Sequence, residues 1–194
     1  MVERYYRRTL PQAGPNPFRC EGFVHGGTIH NDTGQPVAIE SLPPFLRALL
    51  VTDGTVTKIL EAYFWEPVVV ETLRQEFVTA ADEIPWVDVA GGERIMVRRA
   101  RLRGAHSGKD FANAFSVIRT ELIPGHFRRR LIDREIGIGA LIRDSGLESY
   151  REVMEVGLEP DTDADNAVFR TYRIIIAGEP VILITETFPL SLYR

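Results

Sequence analysis

The chain has 194 residues, of which 44% are hydrophobic and 26% charged, a composition typical of one globular domain and not of a disordered segment. Its net charge of −4 argues against a general nucleic-acid binder, which needs a concentrated positive field. A single cysteine, Cys20, excludes an internal disulfide and a multi-cysteine zinc site, and it fits a reducing compartment. No signal peptide is evident at the start, and the most apolar stretch, Ile174 to Ile184, is interrupted by Gly178-Glu179-Pro180, so we expect a cytoplasmic protein that spans no membrane.

The first half of the chain predicts an arm, two helices and three strands. Residues 1–40 are rich in Pro, Gly and Asn without a sustained period, which predicts an irregular N-terminal arm before a domain at 41–194. Short helices are predicted from Pro43-Pro44 through Leu50, and from Val56 to about Phe64 with Thr55 as its cap. Alternation and β-branched content predict strands at Val68–Phe77, Arg94–Arg103 and Phe111–Leu122.

The second half predicts one more helix and a hairpin. The helix runs from Pro124 to about Asp133, and Ile136–Gly139 is a glycine-punctuated turn before an apolar run. The period of Ser149–Leu158 fits a helix and a strand equally, and the acidic run at Asp161–Asn166 is a solvated loop. A hairpin is predicted from the strands Val168–Ile176 and Val181–Phe188. About six strands without βαβ alternation predict an α+β fold, an antiparallel sheet with helices on one face.

Two charged residues fall on strand faces that periodicity assigns to the interior. In an extended segment from Val181 to Pro189, side chains alternate, so Glu186 shares a face with three large apolar residues, Ile182, Ile184 and Phe188. Arg98 lies on the apolar face of its strand, whose other face carries Arg99, Arg101 and Arg103. Buried charges are costly unless they are paired or bind a ligand. The pattern therefore predicts either an internal salt bridge, possible between these two residues, or an occluded site for a small anion.

Other patterns of catalytic chemistry are not found in the sequence. The four histidines show no i, i+4 pair, which does not favour a metal site. Ser116 lacks a Gly-x-Ser-x-Gly elbow, and Gly137-Ile138-Gly139 lacks the third glycine and the lysine of phosphate loops. The two glycines would still let backbone amides approach a carboxylate. We therefore expect no metal and no organic cofactor.

Five segments carry a further pattern, in the order Leu49–Tyr63, Val97–Gly104, Glu135–Leu141, Leu147–Glu152 and Gly178–Pro189. Together they resemble the chorismate lyase (4-hydroxybenzoate synthase) family, including its actinobacterial, archaeal and cyanobacterial branch, over roughly residues 40–194. The resemblance implies a six-stranded antiparallel sheet and a ligand buried beneath two helix-turn-helix flaps. It also implies that Ser149–Leu158 is a strand.

The resemblance implies a set of site residues and a reaction. Arg98 takes the place of the family's ligand-binding arginine, and Glu186 that of its catalytic carboxylate. The binding residues implied beside Arg98 are Thr55 and Val56 in the first flap, and Ile138 with Gly139 in the turn. The implied enzyme is a cofactor-free carbon-oxygen lyase that converts chorismate, a small anion, to 4-hydroxybenzoate and pyruvate. Arg98 would hold one carboxylate, amides around Ile138 the other, and Glu186, buried among apolar side chains, would protonate the departing ether oxygen.

Three departures from the family pattern leave the substrate open. Arg99 stands where the family often has Glu, Thr55 and Val56 where the enterobacterial enzymes have methionines, and Gly137 where the turn has Pro. A tailoring lyase or cyclase acting on a larger substrate in the same pocket therefore remains an alternative. A non-catalytic ligand-binding module, like the effector domains of some bacterial regulators, is another. A stable domain with only an internal ion pair is the third. We expect a monomer or homodimer.

Overall fold

The computed structural model describes residues 1–9, 18, 27–133, 137–160 and 166–193. Cys20, Glu135, Ile136 and residues 161–165 of the acidic run lie outside the described residues. The helices are α1 (Pro44–Val51), α2 (Val56–Phe64), α3 (Gly125–Ile132) and α4 (Ile138–Ser145). The strands are β1 (Thr28–His30), β2 (Pro36–Ala38), β3 (Val68–Thr79), β4 (Arg94–Gly104), β5 (Asp110–Ile118), β6 (Ser149–Pro160), β7 (Asn166–Ile176) and β8 (Glu179–Pro189). None of these helices is long and apolar enough to cross a membrane.

All eight strands belong to one sheet, in the order β2-β1-β6-β7-β8-β5-β4-β3. Strands β3 to β8 pair antiparallel, whereas β1 joins β6 in parallel at His30 and Gly157, so the sheet is mixed. The predicted α+β class is confirmed, but the predicted count of six strands was wrong. The two additional strands lie in the segment that we expected to be irregular. Each has three residues, too few for an alternating pattern, and β1 joins β6 at a single residue pair.

The turn expected at Ile136–Gly139 was also wrong for its described residues, because helix α4 begins at Ile138. Gly137 caps this helix in an extended conformation, and Ile138, Leu141 and Ile142 bury one face at helical spacing. Glycine has low helix propensity, so Gly139 concealed the helix from a reading of local sequence, while packing against the core overrides that propensity. The segment from Ser149 is a strand, as the resemblance implies.

The four helices pack on one face of the sheet, as predicted. Their buried side chains and the inner side chains of β4, β7 and β8 form one large core, which includes Leu46, Leu60, Leu131, Leu141, Ile184 and Phe188. The opposite face is covered by the N-terminal segment and the β3–β4 connection, which contribute Tyr5, Ala80, Ile84, Trp86 and Val87. Because the helices and the sheet meet on one side, inward side chains from β4 to β8 face a space closed by α2 and α4.

We predict that Gly157→Ala destabilises the protein by about 1 to 3 kcal/mol, as overpacking typically does. A Cβ at Gly157 would lie 2.8 Å from the Phe169 ring and 3.1 Å from the His30 carbonyl oxygen, where β1 joins the sheet. Gly125→Ala is the matched control, because a Cβ there meets nothing within 4 Å and alanine is the better helix former. Urea unfolding of both variants decides the matter, and equal losses of stability would contradict the prediction.

Candidate active site

A cavity of about 420 Å³ lies between the sheet and the N-terminal ends of α2 and α4. Its floor follows from cross-strand register. One row across β4, β5, β8 and β7 holds Arg98, Ser116, Ile184 and Tyr172, and the next holds Ala100, Ala114, Glu186 and Arg170. The central strand β5 supplies only small side chains to both rows, and this leaves room between the arginine on β4 and the carboxylate on β8.

Arg98 and Glu186 both line this cavity, and both are buried, with 3% and 7% of their surface exposed. The Arg98 guanidinium donates a hydrogen bond from Nη2 to Thr72 Oγ1 at 2.7 Å. Neighbouring strands are about 4.8 Å apart, so β4 and β8, with β5 between them, are separated by roughly 10 Å. Two inward side chains with a small ligand between them can span this separation.

The ion pair of Glu186 is formed with Arg170, its direct cross-strand neighbour on β7. Arg170 Nε and Nη2 each lie 3.0 Å from Glu186 Oε2. The other carboxylate oxygen, Oε1, accepts a hydrogen bond from the Tyr172 hydroxyl at 3.1 Å. Burial, and next the negative charge of Glu186, raise the pKa of Tyr172, so this hydroxyl stays protonated and remains a donor. The carboxylate is therefore held at a fixed place in the cavity wall.

Arg170 also ties the end of helix α1 to the sheet. Its Nη1 donates to the backbone carbonyls of Leu49 at 2.7 Å, Leu50 at 3.3 Å and Thr52 at 2.9 Å. These are carbonyls at a helix C-terminus, which have no partner inside the helix. One guanidinium, 1% exposed, thus fixes both the carboxylate and the chain that leads into α2.

Two helices begin at the cavity. Residues Gly54 to Lys58 at the start of α2 and Gly137 to Ala140 at the start of α4 line it. Thr55 and Gly137 are the N-cap residues, and neither cap makes a side-chain hydrogen bond. The first amides of a helix have no intrahelical acceptor and carry partial positive charge, which suits an anionic ligand.

Every residue predicted to form the site lines the cavity: Thr55, Val56, Arg98, Ile138, Gly139 and Glu186. Among the residues that depart from the family pattern, Val56 and Gly137 line the cavity. Arg99 is exposed on the other face of the sheet. No group of three or more His, Cys, Asp or Glu side chains that could hold a metal occurs in the described parts of the chain.

Sequence reasoning missed Arg170, Tyr172 and Arg151. The signal for Arg170 was present, because Val168, Arg170, Tyr172 and Ile174 alternate onto one face of a predicted strand, as Glu186 does on β8. Arg151 also lines the cavity, from β6. No signal pointed to it, since the period of its segment fitted a helix as well as a strand.

The fold and cavity define an α+β protein with a cavity lined by arginine and glutamate side chains on the inner face of its sheet. A family model described as chorismate pyruvate-lyase Rv2949c-like matches residues 50–194. The chain is 34% identical to the chorismate pyruvate-lyase of Mycobacterium leprae over 166 residues, 80% of this chain and 79% of that protein. It is 26% identical to the chorismate pyruvate-lyase of Mycobacterium tuberculosis over 169 residues, 80% of this chain and 85% of that one. The chain belongs to the Rv2949c-like chorismate pyruvate-lyase family.

Solved structures share the fold. One, described as a putative regulator from Escherichia coli CFT073, superimposes with a TM-score of 0.51 and 11% identity, covering 62% of this chain and 95% of that chain. PhnF from Mycobacterium smegmatis superimposes with a TM-score of 0.56 and 14% identity, covering 74% of this chain and 67% of that chain. The effector domain of PhnF gives a TM-score of 0.51 and 15% identity, covering 70% and 88%. At these identities the likeness shows the fold alone, and function has to be argued from the site.

We predict strong energetic coupling between Arg170 and Glu186. Removing one partner of a buried ion pair leaves an uncompensated charge, so Arg170→Met should cost about 3 to 5 kcal/mol. A double variant with Glu186→Gln should lose less than the sum of the single variants, with a coupling energy of about 1 to 3 kcal/mol in urea unfolding.

The matched control pair is Arg173 and Glu152, which form a half-buried ion pair at 2.7 Å between β7 and β6. Their coupling should stay below about 1 kcal/mol, because partly exposed charges are screened by water. Additive effects at Arg170 and Glu186 would show that the pair does not act as a unit.

Proposed function

We propose that the protein is a chorismate pyruvate-lyase, which cleaves chorismate to 4-hydroxybenzoate and pyruvate. Membership of the family supports this activity. The observation that carries it is the arrangement of Arg98, Glu186 and two uncapped helix starts around one cavity. Chorismate carries a ring carboxylate and an enolpyruvyl carboxylate, so its site has to neutralise negative charge and to supply a group that moves a proton.

Arg98 binds the ring carboxylate in this proposal. Guanidinium is permanently charged, and its planar fork can donate two parallel hydrogen bonds to a carboxylate. The apolar walls, which include Val70, Ala100 and Ile184, exclude water from the ring. The ring then extends from β4 toward β8, which brings its far end, the carbon that bears the hydroxyl, close to Glu186. The backbone amides of Ile138 and Gly139, at the start of α4, add uncharged hydrogen-bond donors on the helix side of the cavity.

Glu186 moves the proton of the elimination. It enters as a carboxylate, the form that accepts hydrogen bonds from Arg170 and Tyr172. The C4–H bond breaks and its proton passes to Glu186, the electron pair forms the C3–C4 double bond, and the C3–O bond breaks as the ring becomes aromatic. The two ring oxygens of chorismate are trans, so the C4 hydrogen and the C3 ether oxygen share a face, and one carboxylate can serve both. Glu186 then returns the proton to the departing enolpyruvate, which becomes pyruvate.

This role extends the one expected from sequence, in which Glu186 acts only as a proton donor. The same group takes and returns one proton, so the reaction needs no external acid or base. The reaction also needs no oxidant or reductant, because the two products together contain all the atoms and electrons of the substrate. We therefore propose that it runs without a metal or an organic cofactor.

The activity is tested with purified protein and chorismate, by following pyruvate and 4-hydroxybenzoate. We expect kcat of Glu186→Gln to fall by about 10² to 10⁴, the contribution typical of a positioned acid–base group. Arg98→Gln should chiefly raise KM, because it removes a charge that binds the substrate in the ground state. Dialysis of the wild-type protein against a chelator should leave its rate unchanged.

Glu155→Gln is the matched control, because Glu155 lies on β6 but contacts Arg8 and does not line the cavity. It should retain the wild-type rate. If wild-type protein leaves chorismate intact, the lyase proposal is wrong, and a larger substrate for the same cavity becomes the better hypothesis. If Glu186→Gln reacts as fast as the wild type, the proposed proton transfer is wrong.

We further propose that the helix pairs α1–α2 and α3–α4 act as flaps. The N-terminal ends of α2 and α4 cover the cavity, so a substrate has to pass them. Amide hydrogen exchange in α2 and α4 should slow when 4-hydroxybenzoate is bound, because the ligand closes both flaps. Exchange in β8, which forms the floor, is the internal reference and should change little. Unchanged exchange in both helices at saturating ligand would contradict the flap proposal.

A further inference from the structure

We propose that Arg151 binds the enolpyruvyl carboxylate of the substrate, a site that rests on the proposed lyase function. Arg151 lies on β6 and lines the same cavity as Arg98 and Glu186. The sheet order β6-β7-β8-β5-β4 puts it on the side of Glu186 opposite to Arg98. The cavity therefore has an arginine on each side of its carboxylate, which suits a substrate with two carboxylates.

The substrate's own geometry matches this order. With its ring carboxylate on Arg98, chorismate presents C3 and C4 to Glu186. The enolpyruvyl group leaves the ring at C3, so its carboxylate projects beyond Glu186 and away from Arg98. Arg151 is the cavity-lining arginine on that side of the sheet floor, and its charge already acts on the neighbouring Tyr172 hydroxyl.

The bonds of Arg151 leave it able to bind an anion. Its Nη1 donates to the backbone carbonyl of Asp53, in the loop between α1 and α2. Its Nε is buried and has no acceptor among the described residues. A buried donor without an acceptor is costly, and a ligand carboxylate removes that cost.

Apart from Arg98 and Arg151, the cations that line the cavity are paired with carboxylates. Lys58 forms an ion pair with Glu61 at 2.6 Å, and Arg143 forms one with Asp144 at 3.0 Å. Both cations belong to the helices, and their side chains are 65% and 52% exposed. Screening by water makes such exposed charges weak anchors for one carboxylate. Arg151, by contrast, forms no ion pair with any described residue.

This assignment gives Arg151 a part in the reaction as well as in binding. The enolpyruvyl group gains negative charge at its oxygen as the C3–O bond breaks, and a guanidinium at its carboxylate holds the departing fragment in place. The departing fragment carries the enolpyruvyl carboxylate, and the ring product has no carboxylate on that side of the cavity. Arg151 should therefore distinguish the substrate from 4-hydroxybenzoate, which retains only the ring carboxylate.

The test compares two ligands in the variant Arg151→Gln, with KM for chorismate and the inhibition constant for 4-hydroxybenzoate as readouts. We expect KM for chorismate to rise about 10- to 100-fold, which is the effect of losing one charge-assisted hydrogen bond. The inhibition constant for 4-hydroxybenzoate should change less than about threefold. Arg98→Gln should weaken both ligands. Arg143→Gln, the matched cation on a helix, should weaken both alike and by less than about threefold, because it changes only the general field.

A purely structural role for Arg151, through Asp53, would weaken both ligands equally, and this outcome would overturn the assignment, as would an unchanged KM. Arg151→Lys, which keeps the charge, should recover part of the loss. Calorimetric binding separates this proposal from the lyase proposal. If the wild type binds chorismate without cleaving it, and Arg151→Gln still weakens chorismate selectively, the site stands and the activity does not. If the wild type neither binds nor cleaves chorismate, both proposals fail.

Discussion

The buried ion pair between Arg170 and Glu186 is the interaction on which the site depends. A carboxylate inside an apolar core is stable only with a fixed partner, and Arg170 donates to it from Nε at 3.0 Å, while Nη2 lies at the same distance within the ion pair. The same guanidinium holds carbonyls at the end of α1, so the place of the carboxylate and the course of the chain into α2 are set together. A change in how α1 and α2 sit would therefore be felt at Glu186 through Arg170.

Space for a ligand comes from what the sheet lacks. On β5, Ala114 and Ser116 are the inward residues of the two rows that contain the charged groups, and neither fills the space below the helices. Large side chains there would extend the apolar core and leave Arg98 and Glu186 with no ligand to hold. Small residues on β5 between charged residues on β4 and β8 thus leave a cavity within the core. This cavity lowers the stability of the fold because packing contacts are lost.

A protein described as a putative regulator shares the fold at 11% identity, so the architecture alone does not separate a sensor from an enzyme. Either class needs a cavity for its ligand. What favours chemistry here is a carboxylate that lines the cavity with both oxygens oriented by other side chains. A carboxylate in the wall repels an anionic ligand, whereas a lyase that transfers a proton needs such a group beside the reacting carbon.

The sequence by itself determined the long strands other than β6, helices α1 to α3 and the inward direction of Arg98 and Glu186, because alternation fixes which face a strand residue occupies. The period of β6 fitted a helix equally well. The sequence could not determine β1 and β2, three residues each, or α4, whose glycines hide a helix that only packing stabilises. Nor could it assign the partner of Glu186, since Arg170 and Arg98 both point inward and only strand order decides which is adjacent. Pairing across a sheet depends on contacts between distant segments, and those exist only after the chain has folded.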